Sequence, residues 1–335
     1  MNELADKLVE SGITRMSAEK YIKDLYRLNG EKGFRNLVFL KDIPKIMERV
    51  KERKSKNTQA GYMGSILGVL GLYKSMLKYG KMSAEYLRLY KQLRAELAED
   101  LKTHKKSTKQ KENWMTWEEV LNKRDELGKT LGEDEGTTYR DLLRFVVLSL
   151  YTYIPPRRNE FVNMFVVDKR DQAKNQEENY YVIDDKVFIF NQFKTKRYMG
   201  SQEVAVPKTL ELILSSYLDE HPTYKKGKKT RLLVKADGSP LPATNGITRI
   251  LNEIFKPVKI SSTALRHIYL SSKYGETTQE KQEDADAMAH SVSQQNNYIK
   301  IDTEPISKAV PSGNKKTSVI TKMGKSKPVK IDKST

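Results

Sequence analysis

Residues 1–102 carry apolar side chains at helical spacing, separated by polar faces. Tyr21, Leu25 and Leu28 fall on one side of a helix, and a longer stripe of the same kind follows Ser83. Each stripe is amphipathic, so each needs a neighbour against which to bury its apolar side. We therefore predict a small bundle of helices for this part of the chain.

Small polar residues ahead of the apolar stripes predict where these helices begin. Ser17, Ser83 and either Asn57 or Thr58 occupy such positions. A short polar side chain there can accept a hydrogen bond from the free N–H groups of the first helical turn. We take these residues as the expected N-caps.

The second half of the chain mixes helical stripes with short apolar runs. Residues 139–151 are apolar on nearly all sides, which predicts a buried central helix that Pro155 ends. The runs YYVI and KVFIF flank the turn dipeptide Asp184-Asp185, and QEVAVP follows them. Further helical stripes lie downstream, so we predict a mainly α fold with a small antiparallel β-sheet.

Composition divides the chain into four parts. Residues 1–102 are the helical bundle, and residues 103–113 are polar, lysine-rich and without apolar periodicity, which is typical of a linker. Residues 114–303 have the apolar content of a second, α+β domain. Residues 304–335 hold eight lysines against two acids and few large apolar groups, which favours disorder.

The charge balance indicates the kind of partner. The chain has 61 Lys and Arg against 43 Asp and Glu, a formal net charge of +18. Contacts between these cations and phosphates release counterions, so the excess favours a polyanion such as double-stranded DNA. Taken alone, the charge also fits an ordinary basic protein.

Other classes are disfavoured by composition. There is no Cys, which excludes disulfides and thiolate zinc sites, and the four His residues are scattered without an HExxH pair. We expect no metal and no cofactor. No apolar run approaches the roughly 18 residues of a membrane span, and no apolar signal core is present, so we expect an intracellular protein that is not secreted.

Side chains suited to metal-free chemistry on a phosphodiester occur in the order Arg157, Lys194, Arg266, His290 and Tyr298. A phenol oxygen can attack phosphorus, and two guanidinium groups can hold the non-bridging oxygens. A lysine or histidine can deliver the proton that the leaving oxygen needs. Each residue alone has an ordinary structural explanation, such as core packing or a surface ion pair, so the ordered set carries the hypothesis.

In order and spacing this set resembles the tyrosine recombinase (phage integrase) superfamily, over roughly residues 114–303. The segment RRNEFVNMFVVD matches the first box, with Arg157, its acidic companion Glu160, and Asp168 at the family's usual distance. FKTK matches the β-hairpin lysine box, with Lys194 as the catalytic candidate and Lys196 as the runner-up.

The remaining boxes lie near the C-terminal end of the matched region. ALRH gives Arg266 as the second arginine, MAHS gives His290, and NNYIK gives Tyr298 as the nucleophile. This chain departs from the family's H-x-x-R box, because Thr263 stands where the family has histidine. A threonine can hydrogen-bond a phosphate but is a poor acid or base, and we do not substitute His267 for the missing group.

The resemblance implies a fold and a reaction. It implies a helical core-binding domain at 1–102 that clamps DNA and an α+β catalytic domain at 114–303. Tyr298 would form a 3′-phosphotyrosyl intermediate without metal or ATP, and a homotetramer would act on two DNA sites. The motif segments within a lysine-rich chain further resemble integrases of large DNA viruses and virophages. This resemblance implies viral genome integration at DNA in a host nucleus or viral replication site.

Two other interpretations stay open. A type IB-like topoisomerase or a telomere resolvase uses the same phosphotyrosine chemistry. A non-catalytic DNA-binding protein could keep the same fold. A covalent adduct on a nicked duplex separates the enzymes from the binding protein, and relaxation of a plasmid without paired sites favours the topoisomerase.

Overall fold

The structure is a computed structural model that describes residues 2–102, 105–133, 136–287 and residue 292. The chain divides into two compact units, Met1–Lys106 and Ser107–Thr335. The boundary falls inside the stretch 103–113 that was predicted to be a linker. The basic segment 304–335 lies outside the described residues. Within the described part, no helix is long and apolar enough to cross a membrane.

The first unit is built from helices, as its apolar stripes predict. They are α1 (Asn2–Glu10), α2 (Arg15–Leu28), α3 (Ile43–Lys51), α4 (Lys56–Gly71) and α5 (Leu77–Lys102), with a 3-10 turn at Val38–Lys41. Leu25, Ile66 and Tyr86 are fully buried in their common core. The Tyr86 hydroxyl donates to the Leu40 carbonyl at 2.9 Å, which satisfies the polar end of this buried ring.

The predicted helix starts in this unit were wrong by a few residues. Thr14 caps α2, since its hydroxyl accepts from the Ser17 backbone N–H, so Ser17 lies in the first turn and is not the cap. Ser55 precedes α4 in place of Asn57 or Thr58. Helix α5 begins before Ser83 because Tyr79 and Met82 share a buried face with the residues that follow.

The helices of the second unit are α6 (Thr108–Glu112), α7 (Trp117–Glu133), α8 (Tyr139–Thr152), α9 (Lys196–Met199), α10 (Lys208–Asp219), α11 (Gly246–Ile254) and α12 (Ser262–Ala287). Helix α6 forms inside the segment expected to be irregular, where Ser107 and Gln110 make a reciprocal capping box. Asn113 then accepts from the Lys259 backbone N–H at 2.8 Å. The end of the predicted linker is therefore fastened to the second unit.

Five strands form one sheet in the order β4-β3-β2-β1-β5: β1 (Phe165–Val167), β2 (Tyr180–Val182), β3 (Val187–Phe190), β4 (Gln202–Ala205) and β5 (Thr230–Arg231). The predicted hairpin around Asp184-Asp185 joins β2 and β3, and β4 pairs antiparallel with β3. Strand β1 is parallel to β2, with Val166 opposite Tyr181. The fold is mainly α with a small sheet, as predicted, but the sheet is mixed and not wholly antiparallel.

The parallel pairing follows from the connection between its strands. A hairpin can join only antiparallel neighbours. Here the chain leaves the end of β1 through the 3-10 turn Arg170–Gln172 and crosses back, so that β2 starts beside the start of β1. Strands β1 and β5 were not predicted, because both are short and, unlike β2 and β3, neither lies beside a turn dipeptide that marks a hairpin.

Helix α8 is the centre of the larger core. Val146, Val147 and Leu148 are fully buried, and three consecutive residues of a helix point to different sides, as the all-round apolar pattern predicts. At its C-terminal end, the ring of Tyr151 meets that of Phe161 edge-on at 5.7 Å. The chain segment that carries the first predicted arginine is thereby packed directly on the core.

Candidate functional site

Arg157 follows the Pro155-Pro156 pair that ends α8 and is half-buried against the sheet. Its guanidinium carbon lies 3.7 Å from the ring centroid of Phe190 and 5.4 Å from that of Phe193. Nη2 donates to Oε1 of Gln202 on β4 at 3.1 Å, while the buried Nε has no hydrogen-bond partner. An aromatic platform and one amide thus orient this arginine and leave donors available to a ligand.

Arg157 and Arg266 lie close enough to influence each other electrostatically. Burial is the main cause that lowers the pKa of the Arg157 guanidinium; the Glu160 carboxylate raises that pKa, and the charge of Arg266 lowers it. Arg266 projects half-buried from the first turns of α12. Neither arginine forms an ion pair with a described residue, so this pair of cations can receive an anion.

Glu160 follows residues 157–159, called the arginine turn here, and precedes strand β1 of the sheet. Its backbone carbonyl accepts from Nδ2 of Asn179 at 3.2 Å, and its carboxylate oxygen Oε2 is buried without a hydrogen-bond partner. It forms no ion pair with a described residue. Its charge acts on Arg157 through space, as expected for the acidic companion of that arginine.

Tyr151 connects the segments that carry these groups. Its buried hydroxyl donates to the Arg158 carbonyl, which ties the end of α8 to the arginine turn. Burial is the main cause that raises the pKa of Tyr151, followed by the Glu160 charge, whereas the Ser262 hydroxyl and Arg266 oppose the rise. The hydroxyl therefore keeps its proton and acts as a hydrogen-bond donor.

A second tie joins the arginine turn to α12. Ser262 is buried and its hydroxyl donates to Oδ1 of Asn159 at 2.9 Å. Asn159 in turn donates from Nδ2 to the Thr244 carbonyl at 3.3 Å. The helix that carries Arg266 is thus hydrogen-bonded to the turn that carries Arg157, which preorganises the two guanidinium groups.

Lys194 occupies the connection between β3 and β4, where the hairpin box predicted it. It is exposed and makes no hydrogen bond or ion pair with a described residue. Lys196 differs, because its Nζ donates to the Gln176 carbonyl at 3.0 Å and lies 3.9 Å from Glu177. Of the two candidate lysines, Lys194 is the one whose ammonium group is available.

A cleft of about 640 Å³ contains several of the predicted residues. Glu160, Lys194 and Thr263 line it, and so do the cationic side chains Arg158 and Arg231. Arg157 and Arg266 are not among the lining residues; their chain neighbours Arg158 and Thr263 are. Thr263 is exposed on α12, so its hydroxyl can reach a bound group.

Asp168, which the first box includes, has a structural role in the described chain. Its carboxylate accepts from the Tyr224 hydroxyl at 3.1 Å and from the Gly227 backbone N–H at 2.6 Å. These bonds hold the 222–229 loop. His267 is exposed beside Arg266.

His290 and Tyr298 lie outside the described residues. The structure therefore places Glu160 and Arg266 within electrostatic range of Arg157. It also places Glu160, Lys194 and Thr263 around one cleft. Among the described residues, no group of three or more His, Asp or Glu could hold a metal ion.

Sequence reasoning missed the residues that support this site. Gln202, Tyr151 and Ser262 touch the catalytic candidates or the turns that hold them. Ser261 caps α12 by accepting from the Ala264 backbone N–H at 3.2 Å, so the hydroxyl of Ser262 is free to bond Asn159. The sequence offered one signal for Ser262. Two serines are adjacent at the start of α12, and because one suffices as the cap, the other is available for a different contact.

No family model matches the chain, and no curated protein matches it. A solved structure described as the crystal structure of XerA recombinase is similar, at 15% sequence identity and a TM-score of 0.32. The similarity covers 90% of this chain and 94% of that one.

Proposed function

We propose that the protein is a site-specific DNA recombinase that cuts and rejoins DNA through a 3′-phosphotyrosyl intermediate. One observation carries the proposal: Arg157 and Arg266 lie within electrostatic range of each other and form no ion pair with a described residue. Like charges held together on a preorganised frame are stabilised by a bound anion. A phosphodiester is the anion that a net charge of +18 favours.

In this mechanism the two guanidinium groups hold the non-bridging oxygens of the scissile phosphate. The phenol oxygen of Tyr298 attacks phosphorus, the bond to the 5′ oxygen breaks, and a 3′-phosphotyrosyl link forms. Arg157 and Arg266 neutralise the charge that grows on the phosphorane, which is the dominant contribution to catalysis of such transfers. Thr263 donates a hydrogen bond to the same phosphate from the position where the family has histidine.

Lys194 gives its proton to the departing 5′ oxygen. The alkoxide would otherwise leave at a prohibitive cost, so a positioned acid accelerates this step by about 10²–10⁴. The exposed, unpaired ammonium group in the β3–β4 connection supports Lys194 over Lys196 for this role. His290 assists proton transfer from Tyr298. A 5′-hydroxyl from a partner duplex then reverses the sequence, so bond energy is conserved.

The assembly and setting belong to the proposal as well. Residues 1–102 clamp the duplex as the core-binding domain, and residues 114–303 carry the chemistry. A homotetramer acts on two DNA sites, and the reaction serves integration of a viral genome at the host nucleus or viral replication site. The supporting observation is the order of the motifs together with the basic charge.

A nicked duplex that traps the covalent intermediate tests the chemistry. The strand fragment beyond the nick diffuses away after cleavage, so the enzyme stays attached to DNA and migrates slowly on a denaturing gel. We expect an adduct with the wild-type chain and none with Tyr298→Phe. The matched control is Tyr274→Phe, which removes a hydroxyl from an exposed tyrosine on α12 and should leave the adduct intact.

The same preparation separates the remaining functions. Relaxation of a supercoiled plasmid that lacks paired sites, at one protomer per event, assigns the chain to type IB-like topoisomerases. Hairpin ends on a cleaved duplex assign it to telomere resolvases. Binding of duplex DNA without an adduct on any substrate leaves a non-catalytic DNA-binding protein and rejects the proposal.

A further inference from the structure

The β3–β4 connection presents large apolar side chains to solvent. Tyr198 is 83% exposed and Met199, beside it in α9, is 60% exposed. No other large apolar or aromatic side chain in the described part of the chain is more exposed than Tyr198. Two such neighbours in water favour association, so this short helix is a candidate contact surface.

The charges around these side chains indicate a polyanionic partner. Lys194 and Arg197 are exposed in the same connection, and neither has a hydrogen-bond or ion-pair partner among the described residues. Lys196 is the exception, since the Gln176 carbonyl and Glu177 engage it. An apolar pair flanked by two free cations and no free acid complements nucleic acid better than it complements a protein surface.

The shape of the connection suits insertion into a groove. Its base is closed by the β3–β4 pairing and by the Ser201 hydroxyl, which donates to Oδ1 of Asn191 at 2.6 Å. Its tip is a single helical turn that ends at Gly200, whose φ of 67° turns the chain back into β4. Tyr198 and Met199 therefore project from a narrow tip on a fixed base.

We infer that Tyr198, supported by Met199, inserts as a wedge between two base pairs of bound duplex DNA, while Arg197 contacts an adjacent phosphate. An aromatic ring can replace the stacking partner of a base, and architectural DNA-binding proteins unstack base steps with side chains of this kind. The inference rests on the proposed function, because Lys194 in the same connection faces the scissile phosphate there. The wedge then distorts the duplex beside the strand that is cut.

A wedge reads the deformability of DNA and not its base edges. Pyrimidine–purine steps such as TA unstack at lower cost than steps in A-tracts, which are stiff. The protein should therefore prefer a duplex of alternating TA steps over an A-tract duplex of equal length and composition. Tyr198 should produce that preference, whereas Arg197 should add affinity of equal size for both duplexes.

The test measures binding of the full-length protein to these two duplexes by fluorescence anisotropy, with 2-aminopurine in the alternating duplex to report unstacking. We expect the wild-type chain to favour the alternating duplex by about tenfold, the scale of one stacked base. Tyr198→Ala should abolish both the preference and the 2-aminopurine signal, and Tyr198→Phe should keep both. Arg197→Gln should make the slope of log affinity against log salt less negative by about 0.9 on both duplexes.

Controls distinguish failure of the wedge from failure of the function. Tyr274→Ala, at an exposed tyrosine on α12, should bind like the wild type. If Tyr198→Ala keeps the preference while the wild type binds and cleaves DNA, the wedge is wrong and the proposed function stands. If the wild type binds neither duplex, the proposed function fails. If Tyr198→Ala instead abolishes self-association in sedimentation experiments and leaves DNA binding unchanged, the patch is a protein contact and the inference is overturned.

Discussion

Two regions of the second unit hold their cationic groups in opposite ways. Arg157 stacks on Phe190, donates to Gln202 and belongs to a turn fastened to α8 and α12 by partly buried hydrogen bonds. Lys194 stands exposed in the β3–β4 connection without a described partner. Groups that stabilise charge gain from preorganisation, because they then need no rearrangement as the charge develops. The role proposed for Lys194, to protonate the leaving oxygen of an incoming duplex, requires an accessible ammonium group.

The largest expected effect on strand cleavage comes from the exposed residue of the pair, Lys194. Lys194→Ala should lower the rate of strand cleavage by about 10²–10⁴, since the 5′ oxygen then leaves without a proton. Single-turnover cleavage of a nicked duplex measures it. Replacing the bridging 5′ oxygen by sulfur should restore the rate, because a thiolate, with a pKa near 8.5, leaves without protonation.

Lys196→Ala is the matched control for this variant. Its ammonium group is engaged by the Gln176 carbonyl and Glu177, so its loss should leave cleavage close to the wild-type rate. If Lys196→Ala, and not Lys194→Ala, is rescued by the sulfur substrate, the two lysines have been assigned in the wrong order.

On the preorganised side, Arg266→Ala should lower the cleavage rate by about 10²–10³, the cost of removing one fixed donor to the developing charge. Sulfur at the 5′ position should not rescue it, because the lost group stabilises the phosphorane and supplies no proton. His267→Ala, which removes the exposed neighbour on the same helix, is the control. Full rescue of Arg266→Ala by the sulfur substrate would place this arginine on the leaving-group side.

A smaller effect is expected for the hydrogen bond that fastens the arginine turn. Tyr151→Phe removes the donor to the Arg158 carbonyl and leaves a partly buried acceptor unpaired, which should lower the free energy of unfolding by about 1–2 kcal/mol. Cleavage should fall by about tenfold because Arg157 is less well oriented. Thermal unfolding and single-turnover kinetics provide the two readouts. An unchanged cleavage rate in a destabilised protein would confine Tyr151 to folding.

The smallest effect concerns the backbone of the exposed connection. Gly200 has φ of 67° and ψ of −169°, a conformation that other residues adopt only at a cost of about 1–3 kcal/mol. A Cβ at this position meets no atom within 4 Å, so the cost is conformational. We expect Gly200→Ala to lower cleavage several-fold. The exposed connection can rearrange and so relieve most of the strain, and the unfolding temperature should therefore shift less than in Tyr151→Phe.

Gly12→Ala is the control for backbone strain. Gly12 also has a positive φ, of 92°, and open space around its Cα, but it lies in the first unit. It should lower stability without the change in cleavage. A cleavage loss as large in Gly12→Ala as in Gly200→Ala would mean that strain acts through overall stability and not through the position of Lys194.

The sequence predicted what depends on local periodicity and missed what depends on distant contacts. Helix α8 and the β2–β3 hairpin follow from their own residues, since an all-round apolar stripe and a turn dipeptide need no distant partner. The parallel pairing of β1 with β2 depends on where the chain goes after Val167, which no local pattern encodes.

The candidate site divides in the same way. Arg157, Glu160, Lys194 and Arg266 were found because their order along the chain resembles a known set of motifs. Their supporting residues were not found, because the Tyr151 to Arg158 bond and the Ser262 to Asn159 bond join segments brought together only by folding. Asp168 fits the motif spacing, yet its carboxylate holds a loop.

Peptide mapping of the covalent complex tests the central proposal most directly. The protein is trapped on a nicked duplex, digested with nuclease and protease, and analysed by mass spectrometry for a peptide that carries a nucleotide. We predict a single modified peptide that contains Tyr298, joined through the 3′ phosphate. A nucleotide on any other residue, or strand cleavage without a covalent peptide, would contradict the account.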